Sequence, residues 1–459
     1  MLNQDQAAEL FKQIRKYSTA DEVEALFYGG KSALTRFANN VIHQNVAEEN
    51  YSISVRTAFA GRTARATTNK LDDESLKRVV QASESLAKVQ HPDPELLPMA
   101  DAGEGARATQ ANRYFAQTAA LTPELRAKAV KNIVNVAAQH KLTAAGIFSA
   151  SESVEGIFNS RGLTGWHTQT SSEISITMLA GDSSGWQKAN SPDVSRLDPA
   201  RLAEVAARKA IESACPREIP PGKYTVILEP AAVLDMVGFM FFDFGGLSIL
   251  DQRSFLNNRV GSQIFGTNID LWDDVTHPLQ SGAPFDGEGV SRQPVHLVEN
   301  GVVKRLVYAR GTAEKMRQSE YKDKVGPVAA TGHGFPLPNE MGEAPMNIVF
   351  GTPADPKSVD QMIGSTERGV LVTRLWYIRE VDPYEKILTG MTRDGTFYVE
   401  DGKVRHGILN FRFNESLIHM LSNVEAMGTP VRASGEESFD MVAPPMKVRD
   451  FNFTEVTKF

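Results

Sequence analysis

Alternation of apolar and polar positions predicts a strand at Val23-Glu24-Ala25-Leu26-Phe27, another at Tyr51-Ser52-Ile53-Ser54-Val55, and then a helix from Glu74 to Lys88. The same order recurs further on. Ala145-Gly146-Ile147-Phe148 leads through Gly156-Ile157-Phe158-Asn159 to Glu173-Ile174-Ser175-Ile176-Thr177 and a helix from Pro199 to Ser213. Matching landmarks lie 121 residues apart at Phe27 and Phe148, 120 at Asn39 and Asn159, and 126 at Leu71 and Leu197. Two copies of one strand-strand-strand-helix unit account for this spacing. Asn39 and Asn159 each sit where a strand turns, so turn geometry explains both, with substrate contact as the functional alternative.

Between the copies, His91-Pro92-Asp93-Pro94 and the Ala/Gly-rich stretch from Ala100 to Ala108 read as an exposed connection. Thr122-Pro123-Glu124 starts a helix that runs to about His140, with Leu125, Ala129, Ile133, Val136 and Ala137 on its buried face. Pro216 to Gly222 cannot continue the preceding helix, which places a domain boundary near residue 220 and divides the chain into 1–220 and 221–459. The second half is richer in strands. Val370 to Ile378, Tyr384 to Met391, Thr396 to Glu400 and Lys403 to Phe413 are predicted strands, with a tight turn at Asp401-Gly402. Asn414-Glu415 is predicted to cap a helix running toward Asn423, and a buried helix from Pro230 to Phe242 follows the strand Tyr224 to Leu228. The fold class is therefore α+β: an N-terminal α/β domain built from the duplicated unit, and a β-rich C-terminal domain with a curled antiparallel sheet packed on that helix.

Composition narrows the function. The chain has 459 residues, enough for two cores, with 41% hydrophobic and 23% charged residues, as in ordinary globular proteins. Its net charge of -7 supplies no positive field for phosphate backbones, so nucleic acid is excluded as a partner. No apolar run reaches the roughly 18 residues a membrane helix needs, and Met1 to Lys16 reads as a polar amphipathic helix rather than a signal peptide. A cytoplasmic location is expected. The single cysteine, Cys215, permits no internal disulfide and reads as a bystander thiol at a helix end.

Several motifs together resemble the TldD/PmbA metalloprotease family. Thr35-Arg36-Phe37-Ala38-Asn39-Asn40-Val41-Ile42-His43-Gln44 is similar to its N-terminal signature and Phe158-Asn159-Ser160-Arg161-Gly162 to a second. Phe285-Asp286-Gly287-Glu288-Gly289-Val290 with Leu297-Val298-Glu299-Asn300-Gly301 is similar to a third. The most specific run is Arg368-Gly369-Val370-Leu371-Val372-Thr373-Arg374-Leu375-Trp376-Tyr377. The family's His-Glu-x-x-x-His helix aligns with Leu234-Asp235-Met236-Val237-Gly238-Phe239, so Leu234 and Phe239 stand where the histidines would, and Asp235 takes the general-base position. Hydrocarbon cannot bind zinc, which needs His, Cys, Asp or Glu donors.

Ligands five apart on an ideal helix point about 140° away from each other and converge only through a local distortion. Gly238 would allow that distortion, or merely close packing. Active family members draw a further ligand from a C-terminal cysteine, and the comparable stretch, Met427 to Gly435, has none. The nine histidines, His43, His91, His140, His167, His277, His296, His333, His406 and His419, form no local ligand pair. Gly-x-Ser-x-Gly and phosphate-loop motifs are missing too. Asp235 alone reads as a helix residue facing a polar neighbour. Arg374, Trp376 and Arg379, in or beside the best-matched run, either line a cleft or pack strands.

No catalytic, metal or cofactor residue is therefore expected in this chain. The resemblance implies a TldE (PmbA)-type member that partners a TldD-type zinc protease acting on small unfolded peptides. Two alternatives stand beside it: a stand-alone homodimer that holds extended peptides without cutting them, and a hydrolase whose ligands come from distant segments.

Overall fold

The computed structural model describes residues 1–105 and 112–457. Six antiparallel strands organise the first half: β1 (Glu22–Ala38), β2 (Val41–Phe59), β3 (Arg62–Thr68), β4 (Thr143–Asn159), β5 (Thr164–Ala180) and β6 (Ser183–Ser191). They form one sheet in the order β3-β2-β1-β4-β5-β6. Its helices are α1 (Gln4–Tyr17), α2 (Asp73–Val89), the single turn α3 (Ala116–Ala119), α4 (Pro123–Gln139) and α5 (Pro199–Glu212). Each copy is a helix, three strands and a helix, and the copies meet through β1 and β4, where Phe27 lies opposite Gly156.

Hydrogen bonds at the strand ends repeat with the duplication. Asn40 N donates to Ala144 O (3.2 Å) and Ser160 N to Val23 O (2.8 Å). Ala144 N donates to Asn40 Oδ1 (2.7 Å), and Val23 N to Ser160 Oγ (3.1 Å). Each copy has its own core: Phe27, Ile53, Val55 and Val80 under α1 and α2, and Ile133, Phe148, Ile174 and Ala207 under α4 and α5.

Turn geometry explains both asparagines. Asn39 and Asn40 have φ of 51° and 62° and form the two-residue turn between Ala38 and Val41, a left-handed conformation that asparagine tolerates. Asn159 Oδ1 accepts from Arg161 N and Leu163 N (3.0 and 3.1 Å), while Nδ2 donates to Ala100 O (2.7 Å). Asn40→Ala loses two such bonds, the second to Leu142 O, and places alanine at positive φ. It is expected to lower stability by about 2 kcal/mol in urea unfolding.

Several sequence expectations are corrected. The connection between the copies is not wholly exposed: Met99 and Ala100 are buried, and Ala100 joins Leu26, Ile157, Phe285 and Val290 in an apolar cluster beneath the sheet. Residues 106–108 of that stretch lie outside the described residues. On α4, Leu125 is 50% exposed and Arg126 is buried instead, donating to Thr35 Oγ1 and Asn45 Oδ1 (3.1 and 2.9 Å). A buried guanidinium with its donors satisfied takes the core-facing place that apolar periodicity gave to its neighbour.

In the second half, β7 (Gly222–Leu228) leads into α6 (Pro230–Val237). Short strands β8 (Leu271–Asp273), β9 (Val295–Glu299), β10 (Val302–Val303) and β11 (Ile348–Phe350) follow, then the long β12 (Arg368–Asp382) and β13 (Ile387–Glu400). The remaining strands are β14 (Lys403–Gly407), β15 (Phe411–Ser416), β16 (Val424–Met427), β17 (Val431–Ala433), β18 (Met441–Ala443) and β19 (Met446–Val456). One sheet runs β10-β9-β8-β11-β18-β17. The other runs β12-β7-β19-β15-β13-β14, and an added β12–β13 pairing closes five of its strands on themselves. The predicted curled sheet thus closes into a small barrel, which removes its edges. Stacked aromatic pairs, such as Phe411–Phe453 with centroids 4.7 Å apart, fill its core.

Three predicted elements differ here. Tyr384 to Met391 and Thr396 to Glu400 are one strand, β13, which begins only at Ile387 and passes through Asp394 and Gly395 at φ 54° and 121°. Lys403 to Phe413 is two strands, interrupted between Gly407 and Phe411, that pair in turn with Phe397–Glu400 and with Ile387–Met391 of β13 on the side away from β12. The following helix is capped by Ser416 and not by Asn414-Glu415, because β15 pairing holds those residues extended. Among the described residues, no helix is long and apolar enough to cross a membrane.

Candidate functional site

α6 carries Leu234 to Val237 of the stretch that resembles the family's metal helix. β7 delivers the chain to Glu229, paired with buried Lys209 at 2.6 Å, and Pro230 opens the helix. The predicted helix to Phe242 is two segments: α-helix ends at Val237, and residues Gly238–Phe244 continue as 3₁₀ turns. Gly238 therefore marks a real change in helical winding. It also allows close packing, since a methyl group there would overlap Ser438. Both readings of this glycine hold.

Leu234 is fully buried, and Phe239 packs partly buried against the same core. Asp235, also fully buried, turns its Oδ1 toward the C-terminal stretch aligned with the missing cysteine, accepting from Glu436 N (3.1 Å) and Glu437 N (3.0 Å). Gly435 lies so close that a side chain there would strike Asp235 Oδ1 and Leu234 Cδ2. Asp235 Oδ2 is buried with no hydrogen-bond partner among the described residues. Burial pushes this carboxyl up to about 7, although the two backbone donors hold it down.

The loop held by Asp235 is fastened on every side. Glu437 accepts from Tyr377 N (2.8 Å) and Ile378 N (3.3 Å), where Tyr377 stands at φ 56°. Lys188 of β6 donates to Gly435 O (2.9 Å) and approaches Glu173 and Glu436 at 3.4 and 3.6 Å. Zinc does not fit this arrangement: Leu234 and Phe239 are hydrocarbon, and the carboxylates of Asp235 and Glu437 are spent on backbone N–H groups. Among the described residues, no three His, Cys, Asp or Glu side chains gather as a metal-holding group. The histidines are dispersed. His333 pairs with Asp273 at 2.8 Å in the core, and His419 with Glu415 at 2.7 Å. Cys215 is exposed at φ 51°, its N donating to Asp182 Oδ1.

Arg374 and Trp376 are packing residues. Arg374 is buried against Asp394 (Nε to Oδ2 2.8 Å) and stacks between Trp186 and Trp376, 4.9 and 5.2 Å from their ring centroids. Ser184 Oγ donates to Asp394 Oδ1 (2.6 Å), so the cluster ties β6 to the barrel. Arg379 lies over the exposed ring of Tyr377 at 4.6 Å. The third signature is also structural: Asp286 accepts from Glu288 N, Val290 N and Gly334 N (2.9, 2.9 and 2.8 Å). Burial pushes its carboxyl up to about 7 despite those donors.

Beside the loop, a cavity of 460 Å³ opens between the first sheet and the second half, lined by Tyr28, Glu155, Phe285, Arg292, Phe335 and Phe439 among others. Sequence reasoning passed over Tyr28 and Glu155. They lie 127 positions apart, and only the β1–β4 register sets them opposite each other.

Residues 221–455 match the PmbA/TldA metallopeptidase C-terminal domain, 23–87 match domain 1, and 110–214 match the central domain. The chain belongs to the PmbA/TldA metallopeptidase family. Metalloprotease PmbA of Escherichia coli O157:H7 is 21% identical over 418 residues, covering 86% of this chain and 85% of that protein. The crystal structure of TldE from Thermococcus kodakarensis superposes with a TM-score of 0.84 at 19% identity, covering 98% of this chain and 100% of that one. A Thermotoga maritima protein described as a modulator of a DNA gyrase gives 0.84 at 21% identity, over 98% and 99%. At such identities the structural likenesses establish the fold.

Proposed function

We propose that this chain is a non-catalytic, TldE-like subunit of a TldD/TldE-type zinc metalloprotease that processes small unfolded peptides in the cytoplasm. It is read as two units, 1–220 and 221–459, the second carrying the degenerate site. One observation carries the reading: at the position of the general base, Asp235 is consumed in holding the Glu436-Glu437 backbone, with Leu234 and Gly435 packed where donors would have to be. A side chain locked this way is a strut, and the partner would supply the metal and the chemistry. Mixing the chain with the TldD-type protein of its own organism tests this. A hetero-complex on native gel filtration, with zinc and peptide cleavage lost when the partner is omitted, is the expected result. Stoichiometric zinc and peptide cleavage by this chain alone would refute it.

A further inference from the structure

Glu155 is the uncommitted charge of the 460 Å³ cavity. It projects from β4 directly opposite Tyr28 of β1, and among the described residues neither side chain makes a hydrogen bond or an ion pair within the protein. Both are partly buried. Burial pushes the Glu155 carboxyl above its usual range, against the opposing charge of Arg292, and lifts the Tyr28 phenol to about 12. The other charged groups on the cavity wall are largely engaged, although Arg292 Nε is buried without a hydrogen-bond partner among the described residues. Arg292 donates to Asn347 Oδ1, and Asp440 accepts from Asn190 Nδ2 and Arg432 Nη2 (2.6 and 3.3 Å). Asp286 holds three backbone donors and His333 pairs with Asp273.

Three aromatic rings complete the wall, two of them fixed from behind. Phe335 stacks on Phe242 (6.2 Å) and Phe439 meets Phe241 edge-on (6.1 Å), while Phe285 sits in the apolar cluster beneath the sheet. A carboxylate left without a partner in a partly dry space is costly, and a cation brought by a ligand removes that cost. Aromatic faces favour the same charge and shelter an apolar stem.

We propose that this cavity binds a primary ammonium carried on an apolar stem, the cationic group of a peptide, with Glu155 as its counter-ion and Tyr28, Phe285, Phe335 and Phe439 around the stem. This deepens the peptide-handling function proposed above and rests on it for the ligand class. The ammonium comes from a peptide amino terminus or from a lysine side chain, and the two sources separate in one experiment.

Three hexapeptides are titrated calorimetrically into the full chain: one with a free amino terminus and no lysine, one N-acetylated with a central lysine, and one N-acetylated with norleucine in its place. At least one charged peptide is expected to bind roughly tenfold or more tightly than the neutral one, as charge-assisted hydrogen bonds do. Glu155→Gln should abolish that preference. With the wild-type chain, n-butylammonium should displace the charged peptide and n-butanol should not, a measurement that needs no variant. Equal binding of all three peptides would overturn the cation site and leave the peptide-handling function standing. Preference retained in Glu155→Gln, or no displacement by n-butylammonium, would also overturn it. No binding of any peptide would sink both.

Discussion

Arg374→Ala is expected to lower the unfolding free energy by about 3–5 kcal/mol, the usual cost of stranding one member of a buried ion pair. Asp394, buried with it, would keep Ser184 and the more distant Arg393 Nε (3.6 Å) but lose its guanidinium. The stacks on Trp186 and Trp376 vanish as well, each worth on the order of 1–2 kcal/mol when desolvated. Arg374→Lys should recover only part of the loss, because an ammonium cannot make the paired contact of Nε and Nη2 with one carboxylate. Urea unfolding followed by tryptophan fluorescence checks this, since Trp186 and Trp376 report from the two sides of the contact. A variant within about 1 kcal/mol of the parent, as for a surface pair, would show that the cluster does not fasten β6 to the barrel.

Asp235→Asn is expected to stabilise the protein at alkaline pH and to change little in acid. The unfolded carboxyl titrates near 3.8 and the folded one near 7, so the folded value is raised. Below about pH 4 both states hold the proton and the side chain stabilises fully. Between about 4 and 7 the unfolded chain releases the proton while the folded chain keeps it, and stability falls as pH rises. Above about 8 the loss is complete. Asparagine keeps an oxygen for Glu436 N and Glu437 N without the buried charge, so the difference between the proteins should grow from near zero at pH 4 to about 2–4 kcal/mol at pH 8. Comparing the two proteins cancels other titrating groups. A gap independent of pH would mean that Asp235 does not carry the charge this burial implies.

The duplicated first half was legible because a repeat leaves its period in the sequence, and strand alternation marks which residues face a core. Asn39 announced its turn for the same local reason: few residues accept positive φ. The C-terminal strands were legible only in part. Asp394 and Gly395 read as a break between strands, yet β12 pairs on both sides of them, at Arg393 and Thr396, and carries β13 through as a bulge. Leu125 and Arg126 were exchanged because apolar periodicity cannot see that a guanidinium finds Thr35 and Asn45 waiting. That Leu234 and Phe239 offer no zinc donor was visible in their residue types. What Asp235 does instead was not, since its partners lie about 200 positions away.

By itself the sequence determined this protein's α+β class, its internal repeat, its family and the hydrocarbon at Leu234 and Phe239, because each is written in residue identity and local spacing. Tertiary structure alone decided that the second sheet closes into a barrel, that Arg374 bridges the two halves, that Asp235 braces the C-terminal loop, and that Tyr28 and Glu155 face one cavity. Those outcomes depend on strand register and on which distant backbone groups come within hydrogen-bonding reach, and neither is encoded at any single stretch of chain.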